Sequence, residues 1–381
     1  MSLRIAMVGA CPYPVPQGSQ IFLRDTALAM HHAGHDVHLV VYGYGLGADH
    51  SGLKLHRCRR LPGDTKTSAG PSLSKPFLDL ALAATLRRVV RDEGIEVIHA
   101  HNYEALIVAL IAGKRPIVYH AHNAMADELP YYFRHKYAAE KIGRWLDKHV
   151  PRRADRIVVP HRRLAGHLVI RGCDHTKVAI VPPPVKADQF QMAEATRAFP
   201  PVLYAGNLDS YQNLGLLFSA MDRVRKRIKD ARLIVATADE AELPNAELVH
   251  TAGFDSLHKL LAQDSVFAVP RVSWSGYPIK LLNAMAAGKA IVACESAAYP
   301  ITDRVNGIIV PDNDEAAFAD AIHELMVSPR LRGELGRNAR ETIVNEHKPE
   351  RVAQMLEEID NELLQRKPPV AKAAENAPEA S

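Results

Sequence analysis

Residues 273–293 read Ser-Trp-Ser-Gly-Tyr-Pro-Ile-Lys-Leu-Leu-Asn-Ala-Met-Ala-Ala-Gly-Lys-Ala-Ile-Val-Ala. Gly276 and Pro278 break the backbone directly ahead of Ile279, Leu281, Leu282 and Met285. A tight loop therefore opens an apolar helix, which Gly288 closes before the strand-like run Ala290 to Ala293. The first amides of such a helix have no intrahelical partner, and with the helix dipole they form a site for phosphate.

Outward from this stretch, short β-like runs alternate with helical patterns, the mark of parallel sheets covered by helices on both faces. In the first half the runs are Arg4 to Val8, Val37 to Tyr42, Val97 to Ala100, Ile117 to His120 and Arg156 to Val159. Helices are expected at Ser19 to His32, Leu73 to Asp92, Ala105 to Ala112 and Tyr137 to His149. A second series starts with Val202 to Ala205 and continues through Arg232 to Ala236, Leu248 to Thr251, Val266 to Val269, Ala290 to Ala293 and Gly307 to Val310. Between the two lies Val181-Pro182-Pro183-Pro184-Val185, a stiff run that carries neither helix nor inner strand and so marks the domain boundary. At 381 residues the chain exceeds what one core organises, in keeping with two domains. The tail 367–381 is rich in Ala and Pro and is expected to be disordered.

Composition narrows the function classes. No apolar run approaches the roughly 18 residues of a spanning helix, and Leu3 to Ala10 is too short for a signal peptide, so a cytoplasmic location is expected. Cys11, Cys58, Cys173 and Cys294 are scattered, with no C-x-x-C pair, and read as buried thiols. A net charge of +4 is too small to argue for nucleic acid and leaves room for an anionic substrate or membrane. No G-x-G-x-x-G, G-x-S-x-G or P-loop is present. Asp312-Asn-Asp314 precedes a helical pattern and reads as an N-cap.

The stretch 273–293 resembles the nucleotide-sugar signature of GT-B glycosyltransferases of the GT4 family, in which Glu-Gly-Phe-Pro is followed after four residues by Glu-Ala-Met-Ala-x-Gly-x-Pro-Val-Val. Ser275 stands at the first glutamate position and Asn283 at the second. The resemblance spans about residues 3 to 365, and Phe190 follows the proline linker much as a Phe does in the family. It implies a GT-B fold, two doubly wound Rossmann-like domains facing a central cleft. Residues 1–184 would form the acceptor domain and 185–347 the nucleotide-sugar donor domain, with a helix at 348–366 packing back towards the first. The implied reaction is transfer from a nucleotide-diphosphate sugar to a glycan, lipid-linked or small-molecule hydroxyl with retention, without a metal or other cofactor.

Ligands in doubly wound sheets bind beyond the carboxyl ends of the strands, which singles out four loops. The first, Pro12 to Gln20, resembles the family's P-x-x-G-G loop, with Gly18 and Ser19 at the glycine positions and near the donor diphosphate. The second and third hold His99-Ala-His101-Asn102 and His120-Ala-His122-Asn123 at strand ends, each presenting two imidazoles to one face. Neither pair has a neighbouring carboxylate or Cys in sequence to complete a metal set, so metal is set aside. By the resemblance His122 is the catalytic histidine and His120 the next match; His101, Asn102, Asn123 and Glu128 are expected to serve the acceptor, while His99 and His120 read more simply as packing under the loops. In the fourth loop Gly206 and Asn207 match the family, but Gln212 occupies the place of a phosphate-binding Lys. Lys280 is the favoured replacement and Arg271 the next. Together with Ser275, Gly276, Tyr277, Pro278, Ile279 and Asn283, these residues form the expected donor site, Asn283 contacting the ribose.

From Glu128 to Arg153, aromatics (Tyr131, Tyr132, Phe133, Tyr137, Trp145) interleave with Arg134, Lys136, Lys141, Arg144, Lys148, Arg152 and Arg153. This pattern suits peripheral contact with an anionic membrane, on the inner face for a cytoplasmic enzyme. Two rivals to transfer share the cleft: a sugar-nucleotide epimerase or hydrolase, and a nucleotide-sugar-binding protein without catalysis.

Overall fold

Buried apolar runs become strands in both halves of the computed structural model, which describes residues 2–15, 17–60, 74–113, 115–243, 245–251 and 254–365. The expected tail at 367–381 lies outside them, as do Pro16 and Leu73. The first half runs β1 (Arg4–Gly9), α1 (Gly18–His32), β2 (Asp36–Val41), β3 (Lys54–Arg57), α2 (Lys75–Asp92), β4 (Val97–His101), α3 (Tyr103–Ala112) and β5 (Ile117–His120). It continues with α4 (Met125–Tyr132), α5 (Lys136–His149), β6 (Arg156–Val159), α6 (Arg162–Ile170) and β7 (Val178–Ile180). The second half holds β8 (Val202–Ala205), α7 (Leu214–Arg225), β9 (Leu233–Thr237), β10 (Glu247–His250), α8 (Phe254–Leu261), β11 (Val266–Val269) and α9 (Ile279–Ala286). After these come β12 (Ala290–Cys294), β13 (Ile308–Val310), α10 (Glu315–Val327), α11 (Pro329–Glu346) and α12 (Pro349–Leu363).

Two all-parallel sheets result. The first has the order β3-β2-β1-β4-β5-β6-β7 and the second β10-β9-β8-β11-β12-β13. In each, strand order reverses once, at β1/β4 and at β8/β11, and at such a switch point the following loops diverge and leave a crevice. The first sheet lies between one apolar cluster built on α2 and α3 (Leu82, Leu86, Leu106, Val108) and another built on α1 and α12 (Leu23, Met30, Leu356). The second is covered by α9 and α11 on one face (Leu282, Met285, Ile343) and by α7 and α10 on the other (Leu217, Met221, Phe318, Ile322). Asp314 caps α10, accepting from the Ala317 amide at 2.9 Å.

The proline run 181–185 carries no helix or strand. It is pinned where α11 gives way to α12: the Val185 amide donates to the His347 carbonyl at 2.8 Å, and His347 Nδ1 bonds the Pro183 carbonyl at 2.8 Å. Both chain crossings between the halves therefore meet at one place. From there α12 returns to the first half, burying Val352, Ala353 and Leu356 beside Ile5, Met7 and Leu39. Close approach matters once in this packing: a Cβ on Gly336 of α11 would stand 2.0 Å from the Gly288 carbonyl oxygen.

Candidate functional site

The loops after β1, β5, β8 and β11 converge on one cleft between the two sheets. Its wall includes Gly18, Ser19, His122, Asn123 and Glu128 from the first half. From the second it takes Gly206, Asn207, Gln212, Arg271, Ser275, Gly276, Tyr277, Pro278, Ile279 and Lys280. Pro278 caps α9, and the earliest helical bonds run from the Leu281 and Leu282 amides to its carbonyl at 2.9 and 3.4 Å. The Ile279 and Lys280 amides precede them at the cleft end of the helix, the arrangement suited to an anion.

Two cations flank this helix start. Burial lowers the Lys280 pKa, with Asp239 opposing, and among the described residues no carboxylate lies within ion-pairing distance of its amine. Arg271 is held by the Ser273 carbonyl (Nε, 3.3 Å) and hydroxyl (Nη2, 3.1 Å), with its guanidinium 5.1 Å from the Tyr211 ring centre. It passes so close to Gly276 that a Cβ there would meet Nη2 at 2.4 Å, which is why the loop carries glycine at this point. Gln212, at the expected Lys position, donates to Asn207 Oδ1 at 2.6 Å and stiffens its own loop.

On the facing wall His122 stacks on Phe22, ring centres 4.5 Å apart, and burial pulls its pKa down to about 3. It is therefore a neutral imidazole at neutral pH. Glu128 accepts from the Asn123 amide, and burial, reinforced by Glu104 against Lys75 and Arg271, pushes its pKa up to about 7.

Three sequence-predicted site residues are not on the wall. His101, 1 % exposed, lies behind His122 and shares a hydrogen bond with it, Nδ1 to Nε2, at 3.1 Å. Asn102 turns the chain into α3 at φ 75°, a left-handed conformation that fixes its backbone at the helix start. Asn283 sits one turn beyond Ile279 on the same stripe of α9, so Ile279 reaches the cleft and Asn283 stays buried behind it.

His99 and His120 pack beneath the loops, but in a polar network. His99 Nε2 meets Asp360 Oδ1 of α12 at 2.9 Å, from 261 residues away, and His99 Nδ1 meets His120 Nε2 at 2.9 Å. His101 stacks on His120 at 4.1 Å. Among the described residues, the group of side chains close enough to share an ion is His38, His56 and Glu93, on β2, β3 and the end of α2, away from the cleft.

Sequence reasoning missed Asp127, Tyr131, Tyr211 and His161. Ser275 is 1 % exposed because Asp127 and His161 of the first half grip it from both sides. Tyr131 and Tyr211 meet edge to face at the cleft, ring centres 5.8 Å apart. No local motif marks these residues; only the meeting of the two halves gives them a place.

Comparison with known proteins agrees with this geometry. Residues 17–184 match the family model for a glycosyl transferase 4-like domain, and residues 200–328 match that for glycosyl transferases group 1. The D-inositol 3-phosphate glycosyltransferase of Kribbella flavida is 29 % identical over 73 % of this chain and 76 % of its own. The phosphatidyl-myo-inositol mannosyltransferase of Mycobacterium leprae is 26 % identical over 87 % of this chain and 89 % of its own. The structure of sucrose-phosphate synthase from Thermosynechococcus elongatus superposes with a TM-score of 0.80 at 17 % identity, covering 95 % of this chain and 99 % of that one.

Proposed function

This chain is a glycosyltransferase of GT-B fold belonging to the GT4, or group 1, family, and we propose that it moves a sugar from a nucleotide diphosphate to an acceptor hydroxyl with retention of configuration. The observation that carries this reading is the start of α9, where two unbonded amides, Lys280 and Arg271 meet in a cleft between the carboxyl ends of two parallel sheets. The donor diphosphate sits there, so charge on the departing phosphate is stabilised by groups already in place, and no metal is required. Residues 185–347 bind the donor and residues 1–184 the acceptor. The leaving phosphate takes the acceptor proton in a front-face attack, while neutral His122 hydrogen-bonds the transferred sugar. Asn123 and Glu128 orient the acceptor.

Two observations support the acceptor class proposed here. Just after α4 and on α5, Phe133, Tyr137, Ile142 and Trp145 are 47, 71, 57 and 59 % exposed, beside Lys136, Lys141, Arg144 and Lys148. A face that is both apolar and basic suits an anionic bilayer, and no helix among the described residues is long and apolar enough to cross one. The proposed enzyme is cytoplasmic, works peripherally at the inner face of the membrane, and takes an inositol-containing or lipid-linked acceptor, as the names of the relatives suggest. Incubation with UDP-, GDP- and ADP-sugars, with and without inositol phosphate and phosphatidylinositol, tests the reading by nucleotide release and by the anomeric configuration of the product. Turnover unaffected by any acceptor would point instead to a hydrolase or epimerase.

A further inference from the structure

Ser275 occupies the place of a signature glutamate, yet a carboxylate stands against it. Asp127 Oδ2, on α4, accepts from Ser275 Oγ at 2.7 Å, from the Ser275 amide at 3.1 Å and from Ser273 Oγ at 2.8 Å. On the far side His161 Nε2 bonds the Ser275 carbonyl at 3.0 Å, while its Nδ1 accepts from the Leu164 amide at 3.3 Å, so Nε2 carries the proton. Trp274, between the two serines, packs against the core of the first half. Residues 273–275 belong to the donor loop in sequence and are docked into the opposite domain in space.

The consequences run two ways along this loop. Ser273 Oγ donates to Asp127 and accepts from Arg271 Nη2, so Asp127 aims the guanidinium through one hydroxyl. In the other direction, the segment Gly276 to Ile279 that starts α9 begins at the residue Asp127 and His161 hold. A glutamate at 275 would bring a second carboxylate against Asp127, and two such groups in contact repel. The place is filled, by charge and by volume, from across the cleft.

We propose that Asp127 is the positioning carboxylate of the donor loop: it supplies, from the first domain, the acidic group that position 275 lacks, and through Ser273 and Ser275 it sets Arg271 and the start of α9. This rests on the donor-site reading of the cleft. The same pairing explains why both serines of the loop are hydroxyl residues, since each gives its proton to one oxygen of Asp127.

The test moves the carboxylate between the domains. Asp127→Ser should lower kcat/KM for the donor at least tenfold and leave KM for the acceptor unchanged, a split that a merely structural role would not produce. Ser275→Glu should lower donor kcat/KM at least 100-fold and depress Tm. The double variant Asp127→Ser/Ser275→Glu should recover at least tenfold over Ser275→Glu in activity and regain most of the lost Tm. A double variant no better than Ser275→Glu, or Asp127→Ser with wild-type donor kinetics, would overturn the proposal. Should Ser275→Glu fail to fold, Asp127→Asn and Ser275→Ala serve instead: non-additive losses in donor kcat/KM support the pairing, and additive losses overturn it. The wild-type chain is first titrated with nucleotide sugars. Failure at that step contradicts the functional reading, whereas the pairing is read independently in the Tm cycle without donor.

Discussion

Removing the Glu128 charge should stabilise the protein above neutral pH while harming its work. Glu128 lines the cleft, and its pKa is raised from 4.5 to about 7, first by burial and then by Glu104. Below about pH 4.5 the carboxyl is protonated in both folded and unfolded chains and costs nothing. Between 4.5 and about 7 the unfolded chain ionises while the folded one keeps its proton, so this group's contribution to stability is lost as pH rises through that window. The full shift corresponds to at most about 3.4 kcal/mol, and water in the cleft reduces it. Glu128→Gln keeps an oxygen for the Asn123 amide and has no charge to desolvate. Its Tm should match wild type at pH 5 and exceed it by a few °C at pH 8, with a weakened acceptor KM as the functional loss. Melting curves of the two proteins at pH 5, 6.5 and 8 check this. Parallel pH profiles, or a variant less stable than wild type at pH 8, would refute the reasoning.

Lys280→Ala should lower kcat by about 10- to 100-fold, roughly 1.4–2.7 kcal/mol of transition-state stabilisation, and unchanged kinetics would pass the phosphate role to Arg271. Asn283→Ala should leave donor affinity within about 0.5 kcal/mol of wild type, whereas Asn283→Glu should depress Tm, because an unpaired buried carboxylate costs several kcal/mol; isothermal titration and melting measure the two. Asp360→Ala strips His99 of its charged partner and should cost about 1.5–3 kcal/mol, read by denaturant unfolding. The protein should sediment with anionic vesicles and not with neutral ones, and salt should release it; equal behaviour with both would remove the membrane from the account.

The fold was legible because its central strands are continuous apolar runs, such as Val266 to Val269 and Ala290 to Ala293, that helices bury on both faces. What escaped lies at the margins. β3, Lys-Leu-His-Arg, and β7, Val-Ala-Ile, are edge strands with half-exposed side chains, and they carry little hydrophobic signal. The helix α4 contains Pro130 and buries no residue fully, so no periodic stripe announces it, although it delivers Glu128 to the cleft and Asp127 to the loop ahead of α9. The loops proposed to hold the donor were readable from glycine and proline, which mark their turns. The signature gives the place of Asn283 along α9, one turn beyond Ile279, and not its depth, 6 % exposed. His101 and Asp360 could not be placed at all without the register of β4 against β5 and the return of α12. The carboxylate that meets Ser275 comes from the other domain, and no spacing along the chain encodes that meeting.

The central claim, that the start of α9 binds the diphosphate of a sugar nucleotide, is tested most directly by Tm shifts of the wild-type chain and of Lys280→Ala with UDP, GDP, ADP and their sugars. Ligand bound only by the folded state stabilises it by RT ln(1 + [L]/Kd), about 2.7 kcal/mol at 100 times Kd. The account predicts a clear, saturable rise in Tm with one nucleotide family, shared by the diphosphate and its sugars and reduced in Lys280→Ala. No shift with any of them at millimolar concentration, or shifts identical in the two proteins and unchanged again in Arg271→Ala, would contradict it.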